Sequence, residues 1–199
     1  MMRRRRQAIS VCVFAIAAVG CKRSGGDAGT QQPRRQYGLG TLATVAEIAA
    51  RDVDVGPDGA GLPAGHGTPN EGQAIYAQQC ASCHGEHGEG KPPLYPPLVG
   101  RDSIAEGFRF GKDPRLPKTI GNYWPYATTV FDYVRRAMPL NAPGSLTNDQ
   151  VYAVTAYLLS ANRIILPETT LDSAKLTAVR MPYADRFVKD DRRGGRDVR

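Results

Sequence analysis

Cys80-Ala81-Ser82-Cys83-His84 is the stretch of this 199-residue chain where reactive side chains stand at a telling spacing. Two thiols three apart can each add to one vinyl group of a haem. The histidine directly after them can then reach the iron, and this order is the attachment signature of a c-type haem. A zinc site would need two more ligands, and Cys80, Cys83, His84 and His87 are bunched too tightly for finger spacing. A thioredoxin-like pair should follow a strand, and no strand pattern precedes Cys80. The motif predicts one covalent haem c held by Cys80 and Cys83, with His84 as an iron ligand.

An iron held by His84 needs a second axial ligand or an open site. Thioether sulfur is the usual partner in electron-transfer sites and raises the potential. Apart from Met1 and Met2, the methionines are Met138 and Met181. Both precede proline, which favours an extended backbone at the preceding residue. Met138 closes a predicted helix and falls on a loop able to cross a haem face. Met181 falls in a polar tail, expected beyond the packed domain, so Met138 is the expected ligand. His87 is too near His84 to reach the opposite face, and His66 reads as a solvated loop residue. Trp124, the only tryptophan, either donates its indole N–H to a haem propionate or fills the core.

The elements that must position these residues read as all-α. Helices are expected over about 70–79, 126–137 and 148–162, with a short one over 44–50. Thr147 and Gln150 form a capping box for the third of these, and Leu146 and Val151 its hydrophobic staple. The prolines between residues 92 and 117 suit loops that wrap a cofactor. Residues 68–163 are the expected domain, small for a core of its own, with the haem supplying apolar interior.

Residues 1–20 read as an export signal: Arg3 to Arg6, then an apolar run from Ala8 to Val19, too short to span a membrane. Ala18-Val19-Gly20-Cys21 resembles a lipobox, which makes Cys21 a candidate lipid anchor. The expected location is the periplasm, attached to a membrane through that lipid. Residues 21–67 read as a tether and extended arm, and 164–199 as a C-terminal extension. The chain carries 26 basic and 19 acidic residues, a net of +7. Without the four leader arginines the balance is 22 against 19, or +3. No stretch combines clustered basic residues with interleaved aromatics, so nucleic-acid binding is not expected.

Cys80 to His84, Met138 and the capped last helix together resemble a class I monohaem cytochrome c. In that family the carbonyl of the proline in Pro-x-Leu-x-Gly accepts the Nδ1–H of the haem histidine. Pro96-Pro97-Leu98-Val99-Gly100 matches it, so the resemblance implies that role for Pro96 and haem packing for Leu98. Gly72 and Tyr76 resemble the glycine and aromatic where first and last helices cross, with Tyr157 or Tyr152 opposite.

Residues 121–129, 131–139 and 151–159 are similar to the cytochrome subunit of bacterial sulfite or sulfane dehydrogenases of the Sox sulfur-oxidation system. Residues 37–40, 46–50, 59–63 and 179–182 share that likeness. The resemblance implies a chain that is not an enzyme by itself. It would accept single electrons from a molybdenum-cofactor dehydrogenase subunit and pass them to a downstream cytochrome c or oxidase. The alternatives are a general periplasmic carrier for another dehydrogenase or oxidase, and a haem enzyme with an open iron.

Overall fold

Threonine opens three of the helices. Thr44, Thr68 and Thr147 each accept a bond from the backbone N–H three residues on, and Glu47, Glu71 and Gln150 reach back to the threonine N–H. These reciprocal bonds satisfy donors that a helix start leaves free. The structure, a computed structural model, describes residues 39–102 and 107–188. Contacts divide the chain into units Met1–Ala43 and Thr44–Arg199, and the architecture below is that of the second. The expected signal, Cys12 and Cys21 lie outside the described residues.

The helices are α1 (Val45–Ala49), α2 (Pro69–Gln79), α3 (Ala81–His84), α4 (Ala127–Ala137), α5 (Asn148–Ala161) and α6 (Ser173–Ala178). Single 3-10 turns occur at Arg109–Gly111 and Ala184–Arg186. The main helix contact is α2 against α5. It is made at Gly72, where a β-carbon would stand 1.9 Å from the Ala153 carbonyl oxygen and 2.8 Å from Tyr157 Cβ. Beside the crossing, the rings of Tyr76 and Tyr157 are 5.0 Å apart. Tyr157 is therefore the counterpart at this crossing, while Tyr152 packs on Phe131 of α4 at 4.5 Å.

The four expected helices are present, α3 and α6 add to them, and the flanks correct the expectation further. A two-stranded antiparallel sheet pairs β1 (His66–Gly67) with β2 (Leu171–Asp172). Gly67 lies on α5, where a β-carbon would stand 2.3 Å from the Ala153 nitrogen. Val55, Leu171, Leu176 and Met181 are buried in the same core cluster as Tyr76, Phe131 and Leu159. The packed unit thus extends past both expected edges, 67/68 and 163/164. Met181 is 5% exposed and not in a loose tail. The physical reason is that single apolar residues spaced along a polar stretch can seat in a core without any helical or strand period.

The N-terminal flank is fastened to α4 by charge as well. Asp132, buried, accepts the Val55 N–H at 2.8 Å and the Arg136 Nε–H at 2.8 Å. A second Arg136 nitrogen, Nη2, pairs with Asp132 Oδ2. Arg135 donates to the Val53 carbonyl at 2.9 Å. Both arginines beside Met138 are therefore engaged within the chain.

Candidate functional site

Cys80 stands between α2 and α3, as the C-cap of one and the N-cap of the next. The N–H groups of Cys83 and His84 both donate to the Cys80 carbonyl, at 3.1 and 2.9 Å. The two thiols and the imidazole are thereby carried on one turn. Both cysteines are free and half-buried. Burial, reinforced by the neighbouring Cys83, pushes the Cys80 thiol up to about 11.

The turn ends on Gly85, whose φ of +82° is open to glycine. A β-carbon there would meet the Glu89 carboxylate at 2.3 Å. The Tyr76 hydroxyl, buried, donates to the Gly85 carbonyl at 2.9 Å. Burial raises the Tyr76 pKa well above the usual phenol range, so it stays a donor. The helix crossing and the haem turn are thus linked by one side chain.

His84 Nδ1 is buried and has no hydrogen-bond partner. The bond expected from it to the Pro96 carbonyl is not made. The following segment hangs on other contacts. Leu98 N and Val99 N donate to the Gly88 carbonyl at 2.7 and 2.9 Å, and Ile120 N donates to the Leu98 carbonyl at 3.1 Å. Buried Asn162 receives the Gly100 N–H at 2.9 Å and donates to the Leu98 carbonyl at 3.2 Å. Leu98 is partly buried against the core cluster.

Trp124 lies at the start of the segment leading into α4, partly buried. Its indole N–H donates to Thr129 Oγ1 at 2.9 Å, and that hydroxyl donates on to the Tyr126 carbonyl. The ring meets Tyr133 edge-on at 5.9 Å. The N–H thus has a partner within the chain, and the ring packs partly buried against the core. Met138 occupies the C-cap of α4 in extended backbone (φ −123°, ψ 148°), half-buried. Of the two methionines, it is the one not enclosed by the core.

Residues the sequence did not mark also surround the turn. Lys91 Nζ donates to the Ser82 carbonyl at 2.6 Å. The Tyr95 ring lies edge-on to His84 at 6.2 Å, and its phenol is raised above the ordinary range, first by a hydrogen bond with Cys83. No periodic signal exposes such loop contacts. Asn162 had a trace of one, as a polar residue just past an apolar helix face.

Two thiols outside any disulfide and an imidazole whose buried Nδ1 has no chain partner, all on one turn, fit a covalently attached haem. Among the described residues no group of three or more His, Cys, Asp or Glu side chains is placed to hold a bare metal ion.

The cytochrome c family model matches residues 69–162. A chain in the crystal structure of the sulfane dehydrogenase SoxCD from Paracoccus pantotrophus is 44% identical. The match covers 78% of this chain and 73% of that one, with a TM-score of 0.67. The chain belongs to the cytochrome c family. This cytochrome is also similar to two thiosulfate dehydrogenases. The one from Stutzerimonas stutzeri is 32% identical over 97 residues, 47% of this chain and 27% of the relative. The one from Allochromatium vinosum is 28% identical over 124 residues, 55% and 41% respectively. The cytochrome spans well under half the length of these curated relatives.

As a class I cytochrome c it carries covalent haem c. Bound there, the haem supplies a one-electron redox couple. Cys80 and Cys83 would hold it, with His84 presented on the same turn, and the bond from the Tyr76 hydroxyl to the Gly85 carbonyl fixes that turn.

Proposed function

We propose that this cytochrome is the electron-accepting subunit of a molybdenum-dependent sulfite or sulfane dehydrogenase. The observation that carries the reading is the likeness to the SoxCD chain, which takes in 78% of this chain. The general cytochrome c match is confined to residues 69–162. The shared part therefore includes flanks that a haem domain alone does not require. Some of these flanks are packed on the core through Val55, Leu171 and Leu176.

In this reading Cys80 and Cys83 attach the haem, and His84 and Met138 ligate its iron. Six-coordinate iron leaves no open position for substrate, so the chain relays electrons and breaks no substrate bond. Electrons pass one at a time from the dehydrogenase subunit to a downstream cytochrome c or oxidase. Pro96 and Leu98 line the histidine side, and Trp124 backs the site from the core. Export by residues 1–20, and an anchor at Cys21, place the relay in the periplasm at a membrane surface. No described helix is long and apolar enough to cross a membrane.

Native purification of the full chain tests this. A copurifying subunit that contains molybdenum, and haem reduction by sulfite or a sulfane donor only in its presence, are the expected results. Recovery of a haem-loaded chain with no molybdenum, from cells oxidising sulfur compounds, would remove the reading. The two relatives named for thiosulfate favour a second one, a haem enzyme acting on thiosulfate. It predicts high-spin haem, and thiosulfate turnover by the isolated chain.

A further inference from the structure

The haem-attachment turn is one helical turn long, so its carbonyls need partners from elsewhere. The Ala81 carbonyl accepts the Gly85 N–H at 3.0 Å, and the His84 carbonyl accepts the Gly90 N–H at 2.8 Å. The Ser82 carbonyl is taken by a cation, the Lys91 ammonium, at 2.6 Å. Ser82 lies between the two cysteines, so this charge is held within a residue of each point of haem attachment.

The lysine is aimed there by its backbone. Lys91 and Tyr95 exchange both main-chain bonds, at 2.9 and 3.1 Å. The Gly90 bond to the His84 carbonyl fixes the start of that turn. No carboxylate neutralises the ammonium among the described residues. The nearest acid in sequence, Glu89, instead accepts the His87 N–H at 2.8 Å.

We propose that Lys91 is a positioning residue whose fixed charge holds the haem's reduction potential up. Oxidised haem carries one more positive charge than reduced haem. A cation tethered beside it therefore disfavours oxidation. A basic side chain at a helix C-terminus also interacts favourably with the exposed carbonyls, so cap and charge coincide in one group. Because Lys91 is exposed, the effect is screened by salt.

Redox titration of the full, haem-loaded chain tests this, with the reduced spectrum confirming haem attachment. Lys91→Gln keeps a donor for the Ser82 carbonyl and loses the charge. Lys91→Arg keeps both. Lys175→Gln on α6 removes the same net charge elsewhere. The expected result is a downward shift in Lys91→Gln that shrinks as ionic strength rises. Lys91→Arg and Lys175→Gln should stay near the wild type. An unchanged potential in Lys91→Gln, or an equal shift in Lys175→Gln, would overturn the proposal. Should Lys91→Gln fail to load haem, Lys91→Met carries the same two outcomes.

Discussion

Gly72 lies so close to the Ala153 carbonyl that a β-carbon on it would stand 1.9 Å from the oxygen. In an isolated helix, alanine is favoured over glycine by about 1 kcal/mol. Here the sign should invert. Gly72→Ala forces α2 away from α5, and overpacking of this kind costs about 1–3 kcal/mol or more. Urea unfolding of the haem-loaded protein is expected to show a lower midpoint with an unchanged slope. A midpoint equal to or above the wild type would show that the two helices can part freely.

Tyr76→Phe keeps the ring against Tyr157 and removes the hydroxyl bonded to the Gly85 carbonyl. A buried acceptor left without its donor costs about 1–3 kcal/mol. The loss should appear as lower thermal stability of the haem-loaded chain, with the haem still covalently attached. No loss of stability would mean that water replaces the tyrosine at Gly85, despite the burial of both residues.

What could be read from the sequence depended on how local the signal was. Cys80, Cys83 and His84 mark the haem because the chemistry fixes their spacing. Thr147 and Gln150 mark the start of α5 because a capping box is a four-residue pattern. Gly72 and Tyr76 could be placed at the helix crossing through the family likeness, while the choice between Tyr157 and Tyr152 opposite needed the structure. The strand pair His66–Gly67 and Leu171–Asp172 could not. Two residues per strand carry no period, and their partners are about a hundred residues apart in the chain. Val55, Leu176 and Met181 were hidden for the same reason. The ammonium of Lys91 on Ser82, and the amide of Asn162 on Leu98 and Gly100, are loop contacts set by tertiary structure, which composition does not encode.

Asp132 gives the fold an acid sensitivity. Its pKa is held below the ordinary value, first by the Arg136 hydrogen bond and then by the Val55 N–H, with burial opposing. A carboxylate depressed in the folded state contributes stability that is complete above its unfolded pKa of about 3.9. That contribution is lost as pH falls through the lower folded value. Asp132→Asn should therefore unfold more easily at neutral pH, by about 1–3 kcal/mol. It should also show a shallower loss of stability below about pH 4. An acid limb as steep as the wild type would assign the sensitivity to other carboxylates.

Met138 and Met181 offer the sharpest separation, because their environments differ. Met181 is buried among Leu176 and the core, whereas Met138 caps α4 half-buried. Met181→Ala opens a cavity and should destabilise the chain by about 2–5 kcal/mol. It should leave untouched the weak sulfur-to-iron absorption band of the oxidised haem. Met138→Ala should abolish that band and lower the potential, since loss of thioether ligation removes the term that raises it. Its stability cost should be smaller, because less apolar surface is enclosed. The reverse pattern, with the band lost in Met181→Ala, would move the iron ligand into the C-terminal segment and make that segment part of the haem site.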